Sequence, residues 1–210
     1  ELSETNKDQV EKLTISAIQK AKNTNEDSQL IANVVAAASE ELANKVVEEV
    51  SKTSTDEKQS LSAKVLKAIV ETEPSKIETL DQEIKDTVID QAIEAAKDQQ
   101  ENIDQGTNTE DEDLSDVVAD IVTKADTETA SKVLETLDEA SKETDSKLSL
   151  SVVENLTKKE NFEETIEILS VTSSSADENI SNIIENAVDE AEDKEDIDKV
   201  KNIVESSKGT

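Results

Sequence analysis

The chain has 210 residues, of which 52 are Asp or Glu and 22 are Lys, and its formal net charge is −30. It contains no His, Cys, Met, Trp, Tyr or Arg, the side chains used in most nucleophilic catalysis, transition-metal binding, base stacking and bidentate phosphate recognition. The sequence therefore predicts a protein that is not an enzyme and holds no cofactor. A charge of this size also repels DNA and RNA, so nucleic acid is not an expected partner.

The composition favours helices. Only two Gly and one Pro occur, and these residues are the main helix breakers. Ile, Leu, Val and Phe number 51, slightly more than the one fifth or so below which highly charged chains stay disordered. No apolar run is long enough to span a bilayer, so membrane insertion is not expected. A chain that begins with Glu1 and lacks Met is expected to be a processed product or a fragment.

Apolar spacing predicts the helices of the first half of the chain. Residues 7–22 form the first, with Val10, Leu13, Ala17, Ile18 and Ala21 on the inward side. From Ser28 a second stripe runs to Val50, as one long helix or as two that break near Ser39.

A further helix is predicted over 56–72, and Pro74 ends it. Ser75 and Glu78 then form a predicted capping box. It opens a helix whose inward stripe runs from Ile77 to Ala95.

Residues 100–112 are predicted to be an acidic linker, because Gly106 and a run of acids interrupt the apolar pattern. The linker separates an N-terminal helical array, 1–99, from a C-terminal array, 113–210. In the C-terminal array, shorter helices are predicted near 113–124, 127–142, 146–159, 162–173, 177–191 and 194–206. The expected N-caps are Asp126 or Thr127, Asp145, Asn161, Ser175 and Asp193.

Branched apolar doublets recur at spacings of 23 to 35 residues, at Val34–Val35, Val65–Leu66, Val88–Ile89, Val117–Val118, Val152–Val153 and Ile183–Ile184. In the second half, each doublet helix is followed by another apolar helix, the last of which carries Ile197, Val200, Ile203 and Val204. Two-helix units that cannot bury their faces alone stack into arrays. The predicted fold is all-α, with antiparallel helical hairpins stacked as an irregular α-solenoid or an elongated bundle. The alternative is an irregular bundle in which doublets recur by chance.

Individual positions follow from this pattern. Val117 and Val118 are predicted to lie in the core, and Phe162 is expected to pack between hairpins. Glu135 and Asp138 are predicted to lie on the solvent-facing side of their helix.

Hard cations such as Ca²⁺ are the one ligand class that suits this inventory, because they prefer carboxylate oxygens. One acidic cluster offers Asp104, Asp111 and Asp113, and a second offers Asp189, Asp193 and Asp196. The first lacks the spacing of an EF-hand loop, and in the second the acids share a helix face and repel each other. Weak, diffuse Ca²⁺ binding is therefore expected rather than a specific site.

Three functions remain open at this stage. The first is a structural, spacer or assembly module of a larger surface, secreted or filament-forming protein, which is extracellular or on the cell surface and self-associates through helix faces. The second is an acidic helical-repeat adaptor, with a cytoplasmic location as the alternative, that captures a basic peptide or protein. The third is a weak divalent-cation-binding protein. Trp, Tyr and Arg, the usual interface anchors, are absent, so any interface must use aliphatic packing or charge.

Overall fold

The computed structural model describes residues 4–21, 24–54, 60–107, 113–143 and 147–191. These residues form eleven helices and no strand, and the predicted all-α class is confirmed. The helices are α1 (Glu4–Ile18), α2 (Asn25–Ala37), α3 (Glu40–Thr53), α4 (Ser60–Thr72), α5 (Ser75–Glu78), α6 (Gln82–Asp104), α7 (Leu114–Lys124), α8 (Thr127–Lys142), α9 (Leu148–Leu156), α10 (Phe162–Thr172) and α11 (Ser174–Glu190).

The helices pack in two rows. In one row α2, α4, α7, α9 and α11 each contact the next, and in the other row α1, α3, α6, α8 and α10 do the same. Successive helices alternate between the rows, apart from the one-turn α5, so each pair forms a hairpin that stacks on the pair before it. Contacts between the rows, such as α4 with α6 and α8 with α11, close a shared apolar core.

The doublets supply much of this core. Val117 and Val118 are fully buried, as predicted, and Phe162 is buried among α8, α9, α10 and α11. Both members of the doublets in α4, α6 and α9 are also buried. Two doublet members are exceptions: Val34 lies at the surface of α2, while its neighbour Val35 is inside, and Ile184 of α11 is only partly buried.

Side-chain caps fix several helix starts. Ser39 begins α3 by accepting a hydrogen bond from the Leu42 amide, so the stripe from Ser28 to Val50 is two helices. Asp126 begins α8 in the same way, as predicted. Two expected caps, Asp145 and Asp193, lie outside the described residues, as does the predicted helix over 194–206.

Other predicted caps are wrong. The Ser75 and Glu78 pair does not form a capping box: the Ser75 hydroxyl donates to Glu73, and the helix there is the single turn α5. The Ser173 hydroxyl, rather than that of Ser175, caps α11. The Asn161 side chain donates from its Nδ2 to the Thr123 carbonyl of α7 and makes no capping hydrogen bond to α10.

The predicted linker begins too early. Helix α6 continues to Asp104 because Gln99 and Gln100 are buried, with Gln99 accepting from the Leu114 amide at 2.7 Å. Gly106, in the left-handed conformation at φ 72°, follows its end. Helices on the two sides of this turn pack on each other, α4 on α7 and α6 on α8. The separate folding of 1–99 and 113–210 stays a prediction.

Candidate functional site

An open apolar groove lies between α1 and α2, at the N-terminal end of both rows. It has a volume of about 320 Å³, and its floor includes Val46 of α3. Helix α1 packs on α3, whereas α2 packs on α3 and α4, so the two helices diverge. Leu13 of α1 and Leu30 of α2 are 72% and 64% exposed on its rim.

The groove corrects the prediction for the first helix. Of the inward stripe, Ile18 and Ala21 are buried, but Leu13 and Ala17 are exposed. The side chain of Val10 is outside the described set. The spacing is that of an amphipathic helix, yet none of the other helices that the structure describes covers the outer half of its apolar face. Sequence analysis missed the groove because periodicity marks an apolar face without showing what covers it.

Polar contacts hold α1 in this position. Lys45 of α3 bonds Glu11 at 3.1 Å, and the Gln19 amide donates to Glu49 of α3 at 2.7 Å. The hydrogen bond that Lys45 donates to the Glu11 carboxylate raises the pKa of Lys45, and a second one, donated to Glu41, adds to the rise. These contacts join α1 to α3, and the groove is lined mainly by apolar side chains, with Thr14 and Asp27 as its polar members.

Exposed large apolar side chains are concentrated at the two ends of the rows. Among the described residues they are Leu13, Leu30 and Val34 at the first hairpin, Ile168, Val171 and Val188 at the last, and Ile103 near the end of α6. Val171 is the most exposed, at 82%. Repeat arrays need polar outer faces on their terminal units to stay separate. Within the described residues, the first and last hairpins each carry three exposed aliphatic side chains among their polar ones.

Buried charge lies in the middle of the array. The Asp120 carboxylate on α7 is within 3.3 Å of Lys67 of α4, 3.0 Å of Lys124, and 2.9 Å of Lys159 after α9. Burial acts to raise the pKa of Asp120, but the hydrogen bonds from Lys159 and Lys124 outweigh it and hold the pKa below its usual range. The cluster ties α4, α7 and α9 together, and every lysine in it has an acidic partner.

The structure describes three of the six predicted cation ligands, Asp104, Asp113 and Asp189. Asp113 caps α7 and accepts from the Asn155 amide at 3.0 Å. Asp104 accepts from the Lys147 amide at 3.0 Å, and Asp189 is exposed on α11. Asp111, Asp193 and Asp196 lie outside the described residues. Within the described ranges, no three acidic side chains stand close enough to hold a metal ion.

The N-terminus of α9 is held by carboxylates. Glu190 at the end of α11 accepts from the Leu150 amide at 2.8 Å, and Asp104 approaches from α6. Burial raises the pKa of Glu190 to about 7, against the lowering effect of the Leu150 and Ser149 amides, and the charge of Asp104 adds to the rise. A titratable group thus joins α11 to α9.

Asp138 was predicted to face solvent and is 4% exposed. It is one helical turn from the buried Leu134, and α11 covers it: its Oδ2 accepts from Asn182 at 3.0 Å and from Lys142 at 2.7 Å. Its Oδ1 and the Asn186 Nδ2 on α11 are buried without a hydrogen-bond partner among the described residues.

None of the described helices has the length and apolar character that a membrane span requires. Comparison of the chain with protein-family models, with curated proteins and with solved structures found no match.

Proposed function

We propose that this protein is a non-enzymatic structural module that assembles end to end, as part of a larger surface, secreted or filament-forming structure. The observation that carries the proposal is the placement of exposed apolar side chains on the first and last hairpins. Stacking one copy on the next would cover these side chains as each interior hairpin covers its neighbours.

Charge supports the same direction of assembly. Residues 38–193 hold 42 acidic residues and 14 lysines, a net charge of −28, whereas residues 1–37 hold six acidic residues and four lysines. Side-by-side approach of two copies brings the strongly acidic middles together and is repelled. End-to-end approach brings the N-terminal end, with a net charge of −2, to the last hairpin, residues 162–190, which holds eight acidic residues and no lysine. The repulsion there is weaker than between two middles, so apolar contact has more influence on the outcome.

Sedimentation velocity over a range of concentrations tests the proposal. We expect the average mass to rise with concentration, and to rise further when NaCl screens the remaining repulsion. The test variant is Leu13→Glu with Leu30→Glu, which places charge in the groove and should lower the average mass.

The matched control is Thr87→Glu with Thr157→Glu, which adds the same charge at exposed interior positions and should leave assembly unchanged. A wild-type chain that stays monomeric up to about 1 mM, where an association free energy of about −4 kcal/mol would already be visible, overturns the proposal.

A further inference from the structure

We infer that the groove between α1 and α2 is occupied by the first hairpin, α1 and α2, of a second copy, so that two copies meet head to head about a two-fold axis. This inference rests on the proposed end-to-end assembly and names the ends that meet. It begins from the groove, an apolar recess of about 320 Å³ whose rim carries Leu13 and Leu30, which are 72% and 64% exposed.

The shape of the first hairpin suits pairing with itself. In a two-fold contact the same patch lies on both sides, so the patch must carry both a protrusion and a recess that receives it. The first hairpin has both. Leu13 and Leu30 stand on the rim, and small side chains, among them Ala17 and Ala21, line the groove beside them. A rim leucine of one copy can therefore enter the groove of the other.

The net charges of the two ends favour this pairing. Residues 1–37 hold six acidic residues and four lysines, a net charge of −2, whereas the last hairpin, residues 162–190, holds eight acidic residues and no lysine. Because the repulsion between two faces grows with the product of their charges, it is weakest when two first hairpins meet. It is larger between a first and a last hairpin, and largest between two last hairpins.

The first hairpin also carries charges of both signs. Lys12 and Lys20 are exposed on α1, and α2 begins with Glu26 and Asp27, of which Asp27 lines the groove. When two first hairpins meet, the lysines on α1 of one copy can lie near the acids on α2 of the other. Two last hairpins have no such opposite charges to offer. Charge complementarity therefore selects the first hairpin of a second copy as the occupant.

The size of the first hairpin indicates how tight the contact is. Its helices have 15 and 13 residues. Each is about 20 Å long and about 10 Å wide, and together they present a face about 20 Å square. Two such faces bury on the order of 800 Å² in total, below the range of stable complexes. We therefore expect a weak, reversible dimer.

Cross-linking of single cysteines tests which ends meet. The chain has no cysteine of its own, so each variant carries one thiol. The rim variants are Leu13→Cys and Leu30→Cys, and Val171→Cys lies on the last hairpin. The matched control is Thr87→Cys, at an exposed position on α6. With a bismaleimide, the rim variants, alone or mixed with each other, should give several times more covalent dimer than the control.

The pairs that cross-link separate the alternatives. Rim variants that cross-link only with Val171→Cys would place a last hairpin in the groove, which overturns the inference and leaves end-to-end assembly in place. Rim variants that give no more dimer than Thr87→Cys also overturn it. A wild-type chain that stays monomeric up to about 1 mM overturns the proposed function itself.

Sedimentation velocity at low salt gives a second measurement. The average mass of wild type should level off at twice that of one copy, because a two-fold contact uses the groove of both copies and leaves none for a third. Val171→Glu with Val188→Glu, on the last hairpin, should keep this dimer, whereas Leu13→Glu with Leu30→Glu should lose it.

A head-to-tail contact uses both hairpins, so the two Glu variants would then lose assembly equally. Equal behaviour of these variants, or a low-salt mass that rises beyond that of two copies, would overturn the inference. Circular dichroism checks that each variant keeps its helicity, and Ser substitutions at the same four positions repeat the comparison without added charge.

Discussion

Helices α4 and α1 differ mainly in where they stand in the rows. Ten of the 13 residues of α4 are buried, including the polar Ser62 and Lys64. Of the described side chains of α1, only Ile18 is buried. Helix α4 has α2 and α7 beside it in its row and α6 across from it, whereas α1 packs on α3. Burial here is decided by the number of neighbouring helices, so an amphipathic helix at the end of a row keeps an uncovered apolar strip.

The largest effect should come from placing charge in the middle of the array. Changing Val117 and Val118 of α7 to Asp buries two carboxylates without partners, which we expect to cost about 4 kcal/mol or more and to abolish cooperative unfolding. The same change at Leu13 and Leu30, where the side chains are already exposed, should cost less than about 1 kcal/mol. Urea denaturation followed by circular dichroism measures both. Equal losses would contradict the distinction between middle and end.

A smaller loss should follow from removing one charge in the middle. Asp120→Ala removes the carboxylate that Lys67, Lys124 and Lys159 share. Lys124 keeps Glu71 and Lys159 keeps Asp116, so we expect a loss of about 2 kcal/mol. The comparison at the end of the row is Glu11→Ala, which removes a half-exposed partner of Lys45 and should leave stability almost unchanged, because water and salt screen an exposed ion pair. Urea denaturation of both variants measures the two losses of stability. An Asp120→Ala variant as stable as Glu11→Ala would show that the cluster contributes nothing to the middle.

The sequence pattern was sufficient to predict the features that depend on a single helix. The branched doublets predicted the core, and short polar turns predicted most of the helices. The exposed state of Leu13 and the burial of Asp138 could not be predicted, because both depend on a second helix. Among the described helices, none covers the outer face of α1, whereas α11 lies over α8. Spacing gave one available signal for Asp138, since it is four residues after Leu134 and so shares its face.

The groove escaped prediction for the same reason. The apolar residues from Leu13 to Ala21 have the same spacing as those of a helix whose apolar face is buried. The sequence does not show that the described helices leave this face of α1 uncovered. The Glu190 site, by contrast, joins residues 40 apart in the chain, and only the packing of α11 on α9 brings them together. Pairings at that distance are set by topology rather than by local pattern.

Glu190 should make the C-terminal part of the array sensitive to pH. Its pKa is raised from 4.5 to about 7 in the folded protein, so the folded state holds a proton that the unfolded state has already released. The stability it contributes is complete below about pH 4.5 and is lost as the pH rises toward 7. Relative to wild type, Glu190→Gln should therefore become more stable as the pH rises from 5 to 8.

Melting temperatures across that pH range measure the difference. The control is Glu185→Gln on the same helix, which removes an equal charge from an exposed side chain and so separates the effect of the buried site from that of net charge. If the melting temperatures of Glu190→Gln and wild type changed in parallel with pH, the protonation of Glu190 would not be linked to folding.

The smallest effect should be the difference between Ca²⁺ and Mg²⁺. The strongly acidic middle attracts both cations, but Asp104 and Asp113 already accept hydrogen bonds from main-chain amides, and Asp189 stands apart on α11. Diffuse binding depends on the charge of the ion and little on its preferred coordination, so at equal concentration the two should raise the melting temperature almost equally. Isothermal titration calorimetry should show no saturable Ca²⁺ site tighter than about 1 mM. A micromolar Ca²⁺ isotherm of whole-number stoichiometry would instead require ligands beyond the described residues, with Asp111, Asp193 and Asp196 the first positions to change to Asn.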